Sequence, residues 1–333
     1  MLAEPLHPLR FEPILKELIW GGRRLAALLA KPLGSGTTYA ESWEIADHGD
    51  DVSRVAEGPL KGMSLRDLVR DQRDALLGPS VRGGDQFPLL VKFLDAHQVL
   101  SVQVHPDDDR GRRLAADNGK TEAWVILHAE PGSLIYAGLR SGVTRHDLAE
   151  AMRTGAVEPL LHRFEPRAGD CILIPAGTVH AIGAGVVLAE IQQMSNATFR
   201  IHDWGRTGGD GKPRQLHPAE ALESTDFAAG PVNPVRSHPE PFPGGTRERL
   251  IQCPYFTLER LRLEGPAPAS ASVGSPERFT ILIGLAGTAE VQHKSGITPV
   301  ALGQTLLLPA ALGACPIVPQ GGGAAVVLIC SVP

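Results

Sequence analysis

Gly169-Asp170-Cys171-Ile172-Leu173-Ile174-Pro175-Ala176-Gly177-Thr178-Val179-His180 is the stretch on which the fold is decided. Its apolar middle is the length of one short strand. Gly169 and Gly177 supply positive φ where tight turns need it, and Pro175 fixes its own φ. The spelling predicts a strand and a turn that deliver His180 to a defined place. An earlier stretch answers it: Ser101-Val102-Gln103-Val104-His105, then Glu122 at the head of Ala123-Trp124-Val125-Ile126-Leu127. On a strand Gln103 and His105 share one face, because side chains alternate with a period of two. Gln103, His105, Glu122 and His180 together offer one amide oxygen, two imidazoles and one carboxylate. That donor set suits Zn²⁺ and, less selectively, Fe²⁺, Mn²⁺ or Co²⁺, with no thiolate required. Four protein donors fit either a closed structural zinc or a catalytic metal that widens its coordination for substrate. Structural zinc sites mostly use thiolates at short spacings, so widely separated donors on strands favour catalysis.

The composition around these stretches narrows the class. In 333 residues there are 37 Gly and 28 Pro but few aromatics, which fits a mainly β chain of short strands joined by tight turns. The length favours two domains. A net charge of -5, with no basic run to neutralise phosphates, argues against a nucleic-acid partner. An anionic substrate then needs a local basic pocket. The four cysteines, Cys171, Cys253, Cys315 and Cys330, form no Cys-x-x-Cys pair, so buried free thiols are expected instead of a disulfide framework or thiolate zinc site. Met1 to Pro5 lacks a basic n-region followed by an apolar stretch, and there is no apolar run of about 18 residues. No membrane span is expected, and the expected location is cytoplasmic.

Read outward, alternation predicts strands over 11–20, 39–46, 89–94, 186–193 and 198–203, with Trp43 and Ile45 on one buried face. Gly21-Gly22 is expected to end the first strand before a short helix over 23–30. Lys92 lies inside Leu89-Leu90-Val91-Lys92-Phe93-Leu94. It is either an edge lysine that snorkels or a cation facing a wet cavity, since burial without a partner is costly. Leu65, Leu68 and Val69 predict an amphipathic helix over 63–74. Asp107-Asp108-Asp109 reads as the N-terminal cap of a helix over 107–118, not as a ligand cluster. Glu130-Pro131-Gly132 predicts a hairpin between 124–129 and 133–137. Residues 144–154 read as a capped helix, 157–162 as its helical partner, and His146 and His162 as exposed. A Gly-rich loop over 208–214, a helix over 218–226 and a Pro/Gly-rich linker over 227–246 follow. Strands are expected at 256–263, 279–285, 287–292 and 305–308. Gly303, five residues, Pro309-Ala310 repeats the spacing of Gly169, five residues, Pro175-Ala176, but Gly313 and Ala314 stand where a histidine would be expected. The last third thus reads as a second unit of the same kind without the metal set, serving packing or assembly.

Gly169, five residues, Pro175, one residue, Gly177, two residues, His180 resembles the second signature of the cupin superfamily. The first signature is altered, with Gln103 in place of a histidine and an insertion before Glu122. In that altered form Gln103-x-His105-Pro106-Asp107, Gly119-Lys120-Thr121-Glu122 and Pro175-Ala176-Gly177-Thr178-x-His180 resemble the type I mannose-6-phosphate isomerases (phosphomannose isomerases). So do Glu41-Ser42-Trp43-Glu44, Pro88 to Ala96, Phe199-Arg200 and Asp203-Trp204-Gly205-Arg206, over roughly the first two thirds of the chain. The resemblance implies two cupin-like β-barrels (jelly rolls): a catalytic unit over 1–235 with a small helical insertion at about 138–165, and a degenerate barrel without metal over 236–333. It implies interconversion of D-mannose 6-phosphate and D-fructose 6-phosphate through a cis-enediol, with one Zn²⁺ per chain on Gln103, His105, Glu122 and His180. It makes Arg200 and Lys120 catalytic, and assigns substrate binding to Lys92, Ser101 and Arg200. A monomer or homodimer acting on a small phosphosugar is the implied state. The chain departs from the pattern at Ser195-Asn196, where many members have Ser-Asp. A neutral amide cannot act as a carboxylate base, so the base stays unidentified. A cupin metalloenzyme acting on another sugar, a metal-dependent oxygenase and a non-catalytic sugar-binding cupin remain as alternatives.

Overall fold

A computed structural model describes residues 6–208, 211–265 and 271–333. The architecture is mainly β, and its strands fall into two sets of packed sheets. In the first, a six-stranded sheet runs in the order Ile14–Gly22, Tyr39–Ile45, Leu89–Ala96, Val186–Gln193, Glu122–Ala129, Cys171–Ile174. It packs on a five-stranded sheet ordered Phe199–His202, Val102–Val104, His180–Ile182, Ile135–Leu139, Leu161–Phe164. Leu94, Trp124, Ile126, Ile172 and Leu188 of the first sheet meet Ile135, Ala137 and Ile182 of the second in one apolar layer. Burying such side chains stabilises by about 1.5–3 kcal/mol each before entropy is charged.

The second set repeats the plan. Its six-stranded sheet runs Glu240–Phe242, Gly245–Gln252, Thr257–Leu263, Ala325–Ser331, Thr280–Ala286, Thr305–Leu308. A four-stranded sheet covers it through Leu261, Leu282, Val291 and Ile317. Thr305–Leu308 occupies the same edge as Cys171–Ile174, and Gly303 and Gly169 both have positive φ, 76° and 94°. The repeat in spacing is therefore also a repeat in sheet order. A larger core joins the sets: Phe87, Leu76 and Val91 pack in one cluster with Phe256, Phe279, Ile281 and Leu328.

Several local expectations hold. Thr144 caps the helix Arg145–Thr154 in a reciprocal capping box with Asp147, and the Asp107 side chain accepts from the Arg110 N–H to cap Asp108–Leu114. Cys171, Cys315 and Cys330 are buried, Cys253 is partly so, and all are free thiols. His146 is exposed as expected, whereas His162, also expected to be exposed, is half-buried against Asn233. Others need correction. The strands on either side of Glu130-Pro131-Gly132 form no hairpin, because Glu122–Ala129 pairs with Val186–Gln193 and Cys171–Ile174 while Ile135–Leu139 belongs to the facing sheet. The turn chemistry is local, but the choice of partner strand is made by the core. Residues 157–162 do not continue a helical pair; a 3-10 turn at Glu158–Leu160 leads into the strand Leu161–Phe164, whose partner is Ile135–Leu139. Gly21 and Gly22 finish the first strand instead of ending it beforehand. The expected linker stops short, since 240–246 already form the first hairpin of the second set. Part of the loop expected at 208–214 lies outside the described residues.

Candidate active site

Gln103 is the hinge of the site's geometry. Its strand is central among three, so the ladder sets His180 beside it on one side and Arg200 on the other. Glu122 comes from the opposite sheet, paired with Ile174 and Gln192. The donors thus converge from both sheets at one end of the first set. His105, Glu122 and His180 are each about 1% exposed, and their ligand-type atoms lie within 4.8 Å of one another.

Both imidazoles are oriented from behind. His105 Nδ1 lies 2.8 Å from the Ala197 carbonyl and His180 Nδ1 lies 2.9 Å from the Thr178 carbonyl. Each Nδ1–H therefore donates outward and each Nε2 lone pair points inward, the second-sphere arrangement that metal-binding histidines need. His105 Nε2 is 3.3 Å from one Glu122 oxygen, and His180 Nε2 is 3.5 Å from the other. Tetrahedral zinc with bonds of roughly 2.0–2.1 Å separates its donors by about 3.3–3.4 Å, so the spacing fits the ion. The Gln103 amide lies 3.3 Å from His180 Nε2, and rotation of its terminal group brings the oxygen to the same point. Burial lowers the His105 pKa to about 4, with Lys120 adding to the effect, and burial likewise lowers His180. Both rings are thereby kept neutral near pH 7, the form in which an imidazole can bind a metal. Burial alone would raise the Glu122 carboxyl, but Lys120, His105 and His180 outweigh it and hold the carboxylate ionised.

Around this set lies a cavity of about 380 Å³, lined in part by Lys92, Ser101, Lys120, Asn196, Arg200 and Arg214. Every sequence-predicted site residue reaches it or, for His105, the donor cluster beneath it. Lys120 Nζ is 3.0 Å from His105 Nε2, contacts Glu122, and lies 3.7 Å from Glu190. Arg200 donates from Nη1 to the Gln215 carbonyl at 2.7 Å and from Nε to Ser101 Oγ at 3.4 Å. Asn196 sits at the rim, with its backbone N–H on Asp117. Lys92 is not an edge lysine: it is buried in a central strand, 3.0 Å from Glu190 and 3.5 Å from Glu41. Burial would lower its pKa, but Glu190, Glu41 and Glu122 raise it instead, so the ammonium persists.

Glu41 and Glu190 were not singled out as site residues by the sequence. The signal that finds them is Lys92 itself, because a buried lysine needs carboxylates at its own level on neighbouring strands. Glu190 is Lys92's register partner on the adjacent strand, and its second oxygen accepts from Trp124 Nε1 at 3.0 Å. Arg214 was also missed, since it lies on an irregular loop with no periodic signature.

A family model described as phosphomannose isomerase type I, catalytic domain, matches residues 9–122. Among solved structures, mannose 6-phosphate isomerase from Bacillus subtilis aligns with a TM-score of 0.87 at 29% identity, covering 98% of this chain and 99% of the other. A zinc-bound mannose 6-phosphate isomerase shares the fold, with a TM-score of 0.76 at 16% identity over 97% and 99% of the two chains. In sequence, mannose-6-phosphate isomerase ManA of Bacillus subtilis is 35% identical over 308 residues, 92% of this chain and 94% of its own. Likeness of that degree runs through both sheet sets and is not confined to the donors, and on that ground the chain belongs to the mannose-6-phosphate isomerase family.

Proposed function

We propose that the chain interconverts D-mannose 6-phosphate and D-fructose 6-phosphate, with one zinc held by Gln103, His105, Glu122 and His180. The observation that carries this reading is the convergence of inward-facing His105, Glu122 and His180 with Lys92, Lys120 and Arg200 around one cavity. When bound, the ion supplies a Lewis acid for the sugar's carbonyl and hydroxyl oxygens. The rest of the work belongs to side chains. Isomerisation moves a proton between C1 and C2, and the step needs a base close to both carbons. Glu122 belongs to the donor set, whereas Glu41 and Glu190 both line the cavity, each pairing with Lys92 and accepting from a tryptophan Nε1, and Glu190 also lies 3.7 Å from Lys120. Glu190 is the carboxylate we assign to carry that proton. Lys120, between Glu122 and Glu190, supplies a proton or a charge to the substrate oxygens, and Arg200 stabilises the negative charge that grows in the enediolate. Ser101 and Lys92 hold substrate hydroxyls, and Asn196 contributes only a neutral amide at the rim.

Residues 1–235 form the catalytic unit in this reading, with the helix at 145–154 inside an insertion of about 138–165, and residues 236–333 form a unit without metal. A small phosphosugar as partner, a cytoplasmic location and a monomeric or homodimeric state go with it; among the described residues no helix is long and apolar enough to cross a membrane. The test is turnover by the purified chain on mannose 6-phosphate, glucose 6-phosphate and mannose, with metal content measured on the same sample. Turnover restricted to the first, lost on chelation and restored by zinc, is the expected result. Absence of turnover on all three overturns the reading.

A further inference from the structure

The cations of the cavity differ in how they are paired. Both lysines have carboxylates of the lining: Lys92 meets Glu41 and Glu190, and Lys120 meets Glu122 and Glu190. Arg200 and Arg214 line the same cavity, and among the described residues neither is paired with a carboxylate of its lining. The acid that holds Arg214 is Asp203, which is buried. Both of its oxygens are already used, by Arg206 Nη2 on one side and by Arg214 Nε and Nη2 on both. Arg206 spends its remaining donors on the carbonyls of Val99 and Asp203. Two guanidiniums, those of Arg206 and Arg214, therefore share one carboxylate at a partly buried place. Their positive charge registers on Arg200, whose pKa is lowered by burial first and by Arg214 next.

We propose that Arg214 is the residue that selects phosphorylated over plain sugars, by gripping the substrate's phosphate. A phosphate monoester carries about -1.5 to -2 charges near neutral pH, which suits a guanidinium with an edge left to offer. Asp203 holds one edge of the Arg214 fork, through Nε at 2.8 Å and Nη2. Nη1 takes no acceptor among the described residues, and the side chain is 23% exposed toward solvent and cavity. A guanidinium pinned on one edge presents the other without further loss of rotamer freedom, which is how arginine becomes a preorganised phosphate ligand. Its loop is closed at the neck by a bridge between Thr207 and Pro213, so the side chain enters the cavity from a braced position. Arg200 is tied to the donor set through Ser101 and Gln103, and Arg214 has no such tie.

The inference rests on the isomerase reading, and its test separates the two. The zinc-loaded full-length chain and its Arg214→Met and Arg214→Lys variants are compared by calorimetric binding of D-glucitol 6-phosphate, which cannot isomerise, and of inorganic phosphate. Steady-state kinetics on mannose 6-phosphate and melting temperature are measured alongside. Arg214→Met leaves Asp203 still paired with Arg206, so the loop keeps its anchor. Binding of both phosphates is expected to weaken about tenfold or more, the scale of one lost charge-assisted contact. KM should rise with kcat within about threefold, the pattern of a grip that acts equally on ground and transition states. Arg214→Lys should recover part of the affinity. Unchanged phosphate affinity in Arg214→Met, whether or not the melting temperature falls, overturns the assignment. A wild type that binds glucitol 6-phosphate through Arg214 yet fails to turn over mannose 6-phosphate removes the isomerase reading and leaves the phosphate grip standing.

Discussion

At the scale of single residues, the site depends on side chains fixed from behind. His105 and His180 each lose one nitrogen to a backbone carbonyl, and this sets the other toward the metal position. His105→Ala or His180→Ala should therefore cut bound zinc from about one per chain to near zero and abolish turnover, because the remaining donors leave the shell incomplete. Metal analysis of the folded variants checks this, and full occupancy in both would remove them from the donor set. Arg200 is a different case. Its Nη1 is spent on the Gln215 carbonyl and its Nε on Ser101, so it is held still before substrate arrives. If it acts on charge that grows only in the transition state, Arg200→Ala should lower kcat roughly 100-fold or more with zinc content unchanged. A rise in KM with kcat preserved within about threefold would place it with the binding residues instead. The donor residues were legible because strand alternation and turn spelling are local. The role of Arg200 came only from resemblance, and Glu190 and Arg214 were not legible as site residues. Their meaning depends on which strand lies beside Lys92 and on where Asp203 is buried, and both are set by long-range pairing.

At the scale of elements, caps were read well and partners less well. Thr144 with Asp147 and Asp107 with the Arg110 N–H are contacts within one turn of the chain, so the sequence carries them whole. The failed hairpin at Glu130-Pro131-Gly132 has a good turn, but its flanking strands bury opposite layers of the first set. A contact between elements offers a pH test. His48 Nε2 lies 2.9 Å from Asp117, which also accepts from the Asn196 and Asn118 backbone N–H groups, so the pair ties the Asp47–Val52 hairpin to the rim of the cavity. The hydrogen bond to Asp117 raises the His48 pKa above its ordinary value, despite partial burial. Burial would raise Asp117, but His48 and the two N–H groups outweigh it and lower its pKa. The raised histidine contributes stability in full below about pH 6.5 and loses it as pH climbs through its folded value. The depressed aspartate contributes above about pH 4 and loses it as pH falls through its own folded value. The wild type should thus lose stability between pH 6 and pH 8.5 by roughly 1 kcal/mol or less, since the pair is only half-buried. His48→Gln should flatten that part of the profile. Parallel profiles for the two proteins in denaturant titrations would mean that the ion pair contributes nothing measurable.

At the scale of the whole molecule, the question is what the second sheet set does for the first. The sequence made its repeat visible through Gly303 and Pro309, but gave no sign of how firmly the two sets are joined, because a core shared between distant segments has no local pattern. Phe279 shows the joint most directly. It is fully buried, its ring centroid lies 4.7 Å from that of Phe87, and its N–H donates to the Leu77 carbonyl at the end of the helix Leu65–Leu77. Next to it Ser80 bonds Glu277 through both backbone and side chain. Gly78 turns there with φ of 95°, and any side chain on it would meet the Glu277 carbonyl oxygen at 2.3 Å. Such an interface resembles a domain interior cut in half more than a hinge. Phe279→Ala removes a large ring from the centre of it and should cost about 3–5 kcal/mol. If the core is one cooperative unit, calorimetry of the zinc-loaded chain will give a single transition that shifts down as a whole, with loss of turnover following the same curve. Two resolved transitions, with only one of them moved by the substitution and activity tracking the unmoved one, would mean that the sheet sets fold independently. The second set would then not be what keeps the metal-bearing set in place.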